Sequence, residues 1–225
     1  MAIEIFTTAD GSHSLLNTEL NETYHSTHGA LQESIYVFIK KGLAFTAERN
    51  QLSEVHILEV GFGTGLNALL TLQKAISDSI TIFYTTLEAY PLSEEVWHSL
   101  NYADSLGMKD DFEKLHQAEW SSWQEINPRF HLLKLKTTLQ EVDLSASMYD
   151  LVYYDAFAPS KQPEMWELPI LEKVVQQIKT NGTFVTYCAK GQLKRDLKTL
   201  GLQVETLEGP PGKKEMVRGV VPADH

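Results

Sequence analysis

The segment EVGFGTGLN, residues 59–67, places an acid two residues before three glycines at alternate positions: Glu59, then Gly61, Gly63 and Gly65. Glycine has no Cβ, so such a loop lets the backbone turn and approach a ligand closely. The dinucleotide-binding fingerprint, G-x-G-x-x-G, has a different spacing. The pattern therefore predicts a site for a nucleoside cofactor without a pyrophosphate, and the candidate is S-adenosylmethionine.

Polar residues near the ends of the predicted strands add candidate contacts to this site. Glu88 ends the second strand, where a carboxylate can accept hydrogen bonds from both ribose hydroxyls of a nucleoside. Thr138 follows the third strand, where a polar residue often recognises adenine, and Gln140 or a backbone amide is the alternative. Glu59 either fixes the glycine loop or reaches the ligand's amino group through water. Asn67 is either a polar contact or a plain first-turn residue.

Asp155 is the candidate for the chemical step. It ends an apolar strand in the segment YYDAFAPSKQPEMW, residues 153–166, and burying a charge is costly unless it has a partner or a role. Pro159 stiffens the loop that follows, while Phe157 and Trp166 supply flat apolar surface for a base or a ring. The alternative is an aspartate that caps a helix or braces the loop.

The elements that must position these residues alternate between strands and helices. This alternation predicts an α/β fold with a parallel sheet that has helices on both faces. The last two strands are joined by a short Gly-Pro-Pro-Gly turn and must form an antiparallel hairpin. A seven-stranded, mostly parallel sheet with this ending is typical of the Rossmann-like class I methyltransferase fold. The predicted strands are 55–60, 80–89, 130–137, 149–157, 183–188, 202–208 and 215–221.

Helices are predicted at 66–76, 92–106, 169–179 and 190–200, with helical character also through 110–125. The Asn181-Gly182 pair is predicted to cap the third of these helices. Residues 31–45 are interpreted as a short strand pair or as a helix joined to a strand.

Two regions are predicted from these elements. Residues 1–50 form an N-terminal extension that packs on the core and partly covers the cofactor site, and residues 51–225 form the methyltransferase domain. His25 and His28 lie in a loop of the extension that could fold over a ligand.

The charge distribution bears on the kind of partner. The net charge of −11 argues against a protein that binds nucleic acid through a broad basic surface. From Thr186 onward, however, seven Lys and Arg residues stand against five Asp and Glu residues. This region is either a local basic patch on an acidic protein or the solvated face of a helix.

Several classes of protein are excluded by composition. One cysteine, Cys188, excludes an internal disulfide and a cysteine-rich metal site, and the eight histidines have no metal-ligand spacing, so no metal is predicted. No apolar run is long enough to span a membrane, and the N-terminus lacks the pattern of a signal peptide. A cytoplasmic protein without a membrane partner is therefore expected.

The motifs together resemble one family. EVGFGTGLN, LEAYPL, YDAFAPSKQPEMW, TYCAKGQLKRDLKTLGL and GPPGKKEMVRG, with YHSTHGALQESIYVFI upstream, are similar to motifs of the tRNA wobble-uridine methyltransferases. These MnmD-like proteins act on 5-aminomethyl-2-thiouridine and are similar to the methyltransferase half of the bifunctional MnmC enzyme. The resemblance runs from about Tyr24 to Val220, and D-x-F-A-P-x-K-x-P-x-M-W is its most specific element.

The resemblance implies transfer of a methyl group from S-adenosylmethionine to the primary amine of 5-aminomethyl-(2-thio)uridine at the tRNA wobble position. It places Asp155 beside the reacting amine. It implies that the cofactor is held by Tyr24, Glu33, Glu59, Gly61, Phe62, Gly63, Gly65, Asn67, Glu88, Thr138 and Asp155. The expected contacts to the tRNA substrate are Phe157, Pro159, Lys161, Trp166, Lys190, Lys194, Arg195, Lys213 and Lys214.

The chain departs from the family pattern at Thr138, where an acid is expected, and at Ala156, where glycine is frequent. The FAD-dependent oxidase half is expected to be absent, so a separate oxidase or another aminomethyl-forming enzyme has to supply the precursor.

Two other functions stay open at the sequence level. An aminopropyltransferase-like enzyme also uses a carboxylate beside an amine, but the further acids needed for a polyamine cannot be assigned here. A non-catalytic module that binds S-adenosylmethionine or RNA is disfavoured by the intact glycines, Glu88 and Asp155.

Overall fold

The computed structural model describes residues 3–144 and 148–223. Over these residues the chain forms a three-stranded sheet near the N-terminus and an eight-stranded mixed sheet. The strands are β1 (Ile3–Thr7), β2 (His13–Asn17), β3 (Glu22–Thr23), β4 (Glu54–Val60), β5 (Thr81–Leu87), β6 (Trp123–Asn127), β7 (Phe130–Leu135), β8 (Tyr149–Tyr154), β9 (Ile178–Thr186), β10 (Gln203–Glu208) and β11 (Glu215–Val220). The predicted domain ranges also include residues 1–2, 145–147 and 224–225, which lie outside the described residues.

The helices cover both faces of the large sheet. They are α1 (Ala30–Ser34), a π-helix (Ile35–Ala44), α2 (Phe45–Asn50), α3 (Leu66–Asp78), α4 (Glu94–His98), α5 (Tyr102–Leu106), α6 (Lys109–Gln117), α7 (Leu168–Val175) and α8 (Gly191–Thr199), with a 3₁₀ turn at Pro163–Trp166.

The order of strands confirms the predicted α/β methyltransferase fold. The large sheet runs β10-β11-β9-β8-β4-β5-β7-β6, and its centre, from β9 to β7, is parallel. The last two strands form the predicted antiparallel hairpin, with Gln203 opposite Val220 and Glu208 opposite Glu215. All seven predicted strands are therefore present.

The predicted count of seven strands is wrong, because β6 adds an eighth among the described residues. Helical character was predicted through 110–125, but α6 ends at Gln117 and β6 pairs antiparallel with β7. Residues 123–127 read WQEIN, which carries no long apolar run. The strand forms because the edge of β7 offers it a backbone partner.

Residues 31–45 contain no strand, so both predicted interpretations of this segment are wrong. The structure has one continuous helical stretch from α1 through the π-helix to α2. Gly42 explains how closely this stretch packs: a Cβ at this position would lie 3.1 Å from Val185 Cγ2 and 3.2 Å from Tyr153 Cε1. The helical stretch thus lies directly on the central strands.

Two helix predictions also need correction. Residues 92–106 form two short helices, α4 and α5, instead of one. Helix α7 ends at Val175, and Asn181-Gly182 lies inside β9 instead of capping a helix. The pair accommodates an irregularity in the pairing of β9 with β8, and Asn181 has a positive φ of 63°. A turn dipeptide here serves a strand bulge.

The sheet separates two apolar clusters, because adjacent residues of a strand point to opposite faces. Ile57 packs with Leu69 of α3 on one face, while Leu58 packs with Leu171 of α7 on the other. Because β4 is packed on both faces, the position of its end is fixed. The start of the loop after β4 is therefore fixed as well. Among the residues described, no helix is long and apolar enough to cross a membrane.

Candidate active site

A cavity of about 570 Å³ opens at the carboxyl ends of β4, β5 and β8. Ligands of open α/β sheets bind at this edge, where the strand order reverses. Eleven of the residues predicted for the site line this cavity, which therefore brings both proposed halves of the site together. They are Tyr24, Glu33, Gly61, Phe62, Gly63, Asn67, Glu88, Thr138, Asp155, Phe157 and Lys213.

The glycine loop after β4 forms one wall of the cavity and leaves little room for a side chain at Gly61 or Gly63. Gly61 has a φ of +96°, and a Cβ there would lie 2.9 Å from the backbone oxygen of Asp155. Gly63 has a φ of +51°, and its Cβ would lie 3.3 Å from Tyr24 Cδ1. Both backbone conformations favour glycine, and both positions bring the chain close to its neighbours. A side chain at either position would therefore crowd the loop against its neighbours.

Glu88 braces this loop from the end of β5. Its Oε2 accepts a hydrogen bond from Gly63 N at 2.9 Å, and its Oε1 accepts one from Tyr90 N at 2.9 Å. Burial raises the pKa of Glu88, while the backbone donors act in the opposite direction. A carboxylate offers about four acceptor positions, so capacity remains for the hydroxyl groups of a ligand.

Asp155 lies directly after β8, and its backbone N–H donates to Val60 O at 3.1 Å. The side chain of Asn67, in the first turn of α3, donates to Asp155 Oδ2 at 2.9 Å. Burial, and next the negative charge of Glu33, raise the pKa of Asp155 to about 7, against the opposing effects of Asn67 and Lys213. Asp155 therefore changes its protonation state near neutral pH, which suits a group that takes up a proton.

Glu59 lies outside the cavity lining, behind the glycine loop. It is fully buried, and its Oε2 accepts a hydrogen bond from Thr86 Oγ1 at 2.7 Å. Burial raises its pKa to about 8, and the nearby charge of Asp155 adds to the effect. This position fits a residue that fixes the loop better than one that contacts a ligand.

The N-terminal segment contributes residues to the wall of the cavity. The ring of Tyr24 contacts that of Phe157 edge-on, with centroids 5.1 Å apart. Glu33 of α1 forms an ion pair with Lys213, whose Nζ lies 2.5 Å from Glu33 Oε2. Residues of the predicted N-terminal extension thus contribute to the site, while its boundary at residue 50 stays a prediction.

The other predicted site residues lie away from the cavity lining. Gly65 is the N-cap residue directly before helix α3, and Pro159 lies in the partly exposed loop after β8. Trp166 is 8% exposed and donates from Nε1 to Phe157 O at 2.8 Å, so it supports the loop from behind. Lys161 donates to Leu20 O at 3.0 Å and ties this loop to the N-terminal segment.

The basic residues near the C-terminus differ in how free their charges are. Lys194 forms an ion pair with Glu215 at 2.8 Å. Lys190, Arg195 and Lys214 are exposed on α8 or next to it and on the turn between β10 and β11. Three of the six basic residues predicted to bind tRNA are therefore available on the surface.

Tyr187 is a cavity residue that sequence reasoning did not single out. It follows β9, its hydroxyl donates to Ala156 O at 2.8 Å, and Lys213 Nζ lies 3.8 Å from the centroid of its ring. The one feature of the sequence that indicates Tyr187 is its position, because it is an aromatic residue at the carboxyl end of a predicted strand. His25, predicted in a covering loop, is buried in the wall with its pKa lowered to about 4, mainly by burial.

The cavity fits S-adenosylmethionine by volume and chemistry. Small-molecule sites commonly enclose about 300–1,000 Å³. The cradle at Gly61 and Gly63, the anionic acceptor Glu88 and the buried amide oxygen of Asn67, which has no hydrogen-bond partner among the described residues, supply contacts suited to a nucleoside and an amino acid.

Comparison with known proteins decides the family. Residues 95–222, more than half of the chain, match the family model described as S-adenosyl-L-methionine-dependent methyltransferase. The chain belongs to this family. Its cofactor is accordingly S-adenosylmethionine, as the sequence predicts.

Relatives of this methyltransferase carry more specific names. The chain is 30% identical to the tRNA 5-methylaminomethyl-2-thiouridine biosynthesis bifunctional protein MnmC of Nitrosospira multiformis, over 92% of this chain and 35% of that protein. It is 28% identical to the protein of the same name from Leptospira interrogans, over 91% of this chain and 33% of the relative. The chain thus spans about a third of the length of these curated relatives.

A solved structure resembles the whole fold. The crystal structure of MNMC2 from Aquifex aeolicus matches with a TM-score of 0.80 and 26% sequence identity, covering 99% of this chain and 71% of that one. These similarities confirm the resemblance to the tRNA wobble-uridine methyltransferases that the motifs indicate.

Proposed function

We propose that this methyltransferase transfers a methyl group to the primary amine of 5-aminomethyl-(2-thio)uridine at the wobble position of tRNA. The observation that carries the proposal is Asp155, which is held by Asn67 at the carboxyl edge of the sheet and has its pKa raised to about 7. The similarity to proteins named for 5-methylaminomethyl-2-thiouridine biosynthesis supports the same acceptor.

The charges of the cavity support an amine acceptor. Acids outnumber bases among the lining residues: Glu22, Glu33, Glu88, Asp155 and Glu164 stand against one lysine, Lys213. An acidic, partly enclosed cavity attracts an ammonium group and disfavours an anionic one.

Asp155 has two tasks in this proposal. An alkylammonium has no lone pair, so the amine must lose a proton before its nitrogen can attack. The Asp155 carboxylate accepts a hydrogen bond from the amine, orients it and takes up or relays that proton. Asn67 keeps the carboxylate aimed at the acceptor through its 2.9 Å hydrogen bond.

Cofactor contacts are assigned from the same geometry. When bound, S-adenosylmethionine supplies an electrophilic methyl group on a sulfonium. Glu88 accepts hydrogen bonds from its ribose hydroxyls, the Gly61–Gly63 segment lies against it, and Tyr24, Phe62 and Thr138 line its surroundings. Holding both reactants in one cavity supplies much of the acceleration, because orientation replaces a bimolecular encounter.

The tRNA contacts are proposed for the exposed cations Lys190, Arg195 and Lys214, with Phe157 near the acceptor base. A cytoplasmic location belongs to this proposal. So does a separate enzyme, an FAD-dependent oxidase or another aminomethyl-forming enzyme, which supplies the precursor.

The test is a methyl-transfer assay with nucleoside mass spectrometry. Purified protein and S-adenosylmethionine are incubated with tRNA that carries 5-aminomethyl-2-thiouridine and with tRNA that carries the carboxymethylaminomethyl form. The expected result is a gain of one methyl group on the aminomethyl nucleoside alone. Methylation of neither tRNA, or transfer to polyamines from decarboxylated S-adenosylmethionine, overturns the proposal and favours the aminopropyltransferase or the non-catalytic alternative.

A further inference from the structure

Lys213 points into the cavity while its neighbour Lys214 faces solvent. The turn between β10 and β11 is held by backbone hydrogen bonds from Gly209 N to Lys214 O at 3.1 Å and from Lys213 N to Pro210 O at 2.9 Å. Lys213 lines the cavity, whereas Lys214 is exposed. The same turn thus carries one internal and one external cation.

The internal cation is held on two sides. Lys213 Nζ lies 2.5 Å from Glu33 Oε2, and 3.8 Å from the centroid of the Tyr187 ring. The side chain of Glu33 is only 6% exposed, and its Oε1 also accepts a hydrogen bond from Ser26 N at 3.1 Å. An ion pair therefore joins helix α1 to the C-terminal hairpin at the wall of the cavity.

A buried carboxylate needs a charged or hydrogen-bonding partner. Lys213 supplies that partner for Glu33, and the ring of Tyr187 adds a cation–π contact. These contacts leave Lys213 poorly placed for a tRNA phosphate, the role expected from the sequence. Its charge acts inside the cavity.

We propose that Lys213 and Glu33 are positioning residues, a charge pair that controls the protonation state of Asp155 when the acceptor amine binds. Glu33 and Lys213 line the cavity together with Asp155, and they act on it in opposite directions. The Glu33 charge raises the pKa of Asp155, while the Lys213 charge lowers it. The pair thereby keeps Asp155 able both to accept a proton from the amine and to release it.

The groups that face Asp155 come from every element packed around it. They are Glu33 of α1, Glu59 of β4, Asn67 of α3, Tyr84 of β5, Tyr187 after β9 and Lys213 of the last hairpin. Of these, Glu33 and Lys213 carry opposite charges and can be removed separately or together. Their removal therefore separates an electrostatic effect from a loss of packing.

The first measurement is the pH dependence of kcat for methyl transfer at saturating S-adenosylmethionine, an experiment that rests on the proposed function. The acid limb of this profile is the pH range in which kcat rises as Asp155 loses its proton. Lys213→Met removes the cation and should move this limb to higher pH by about one pH unit. Glu33→Gln removes the anion and should move it to lower pH by about one pH unit. The double variant should place the limb between those of the two single variants and at lower pH than that of the wild type, because the Glu33 charge affects Asp155 more strongly than the Lys213 charge does. Lys213→Arg should keep the wild-type limb, because it retains the cation.

Lys214→Met is the matched control, since it removes a cation from the same turn. It should leave the position of the acid limb unchanged, whatever it does to tRNA affinity. The double variant also protects the test against misfolding, because it leaves no unpaired charge in the wall.

The second measurement does not depend on catalysis. The pKa of Asp155 is followed by carbon NMR of the carboxyl group in the full chain, with the resonance assigned by Asp155→Asn. Opposite shifts in the two single variants support the charge pair even if no tRNA is methylated. An unchanged Asp155 pKa in both variants overturns it, and so does a Lys213→Met variant that weakens tRNA binding with the acid limb unmoved.

Discussion

The side-chain amide of Asn67 donates a 2.9 Å hydrogen bond to Oδ2 of Asp155, although 88 positions separate the two residues. Asn67 lies in the first turn of α3, directly after the glycine loop, and Asp155 directly follows β8. The bond therefore links the loop assigned to the cofactor with the carboxylate assigned to the acceptor. One hydrogen bond thus connects the part of the cavity assigned to the cofactor with the part assigned to the acceptor.

We expect Asn67→Ala to slow methyl transfer at neutral pH. The Asn67 hydrogen bond lowers the pKa of Asp155, so its loss raises that pKa and leaves less carboxylate at pH 7. A change of one pH unit in the midpoint reduces the rate at pH 7 by about fivefold, and activity recovers at higher pH. The measurement is a pH–rate profile. Thr71→Ala, which removes a buried polar group one turn further along α3, is the control and should keep the wild-type midpoint.

Gly61→Ala should weaken binding of S-adenosylmethionine. Alanine at a positive φ costs about 1–2 kcal/mol, and here its Cβ also meets the Asp155 carbonyl oxygen at 2.9 Å. Adjustment of the loop should raise the dissociation constant by more than about tenfold, or 1.4 kcal/mol, in calorimetric titration.

Gly201→Ala is the matched control for this substitution. Gly201 has a φ of +90°, and a Cβ there meets nothing within 4 Å. Both variants should lose thermal stability, but only Gly61→Ala should lose cofactor affinity. Equal affinity in the two variants would show that the loop does not contact the cofactor.

Glu59→Gln should change how stability depends on pH. Burial raises the pKa of Glu59 from 4.5 in the unfolded chain to about 8 in the folded protein. Its favourable contribution is therefore complete below pH 4.5 and is lost as the pH rises through 8. The free energy of unfolding of Glu59→Gln, relative to the wild type, should increase over this interval in denaturant titrations. The same comparison with Glu95→Gln, at an exposed position of α4, should show no such trend.

The exposed cations near the C-terminus should govern tRNA affinity. Reversing Lys190, Arg195 and Lys214 to Glu should weaken binding and reduce the slope of log affinity against log salt by about one for each phosphate that is no longer neutralised. Filter binding over a range of salt concentrations measures both quantities. Reversal of Lys40, Lys109 and Lys114, which are also exposed, makes the same change in net charge. If the control triple variant loses as much affinity, net charge and not this surface controls binding.

Short sequence patterns predict the central strands of the large sheet and the site residues at the carboxyl ends of those strands. The apolar run before Gly61, the glycine spacing and the lone acid after β8 are all encoded within a few residues, so their places follow from strand alternation. The proposed adenine contact is harder to predict, because Thr138 lines the cavity at the position where the family pattern has an acid, and its hydroxyl donates to Glu141 Oε2 at 3.1 Å.

Tertiary pairing decides what the sequence could not predict. Strand β6 exists because β7 offers an open edge, and Asn181-Gly182 serves a bulge because β8 and β9 differ in register. Lys213 and Lys214 are adjacent and chemically alike, yet a turn directs one to Glu33 and the other to solvent. No periodicity in the chain distinguishes them.

Asp155→Asn tests the central claim most directly. Asparagine keeps the shape of the side chain and can still accept the Asn67 hydrogen bond, but it cannot take up a proton. We measure cofactor affinity by calorimetry and single-turnover methylation of aminomethyl-tRNA with the same preparation. The expected result is a dissociation constant for S-adenosylmethionine within about threefold of the wild type and a methylation rate reduced by about 100-fold or more. A rate within tenfold of the wild type at pH 7 would contradict the role of Asp155 as the group that accepts the proton of the amine.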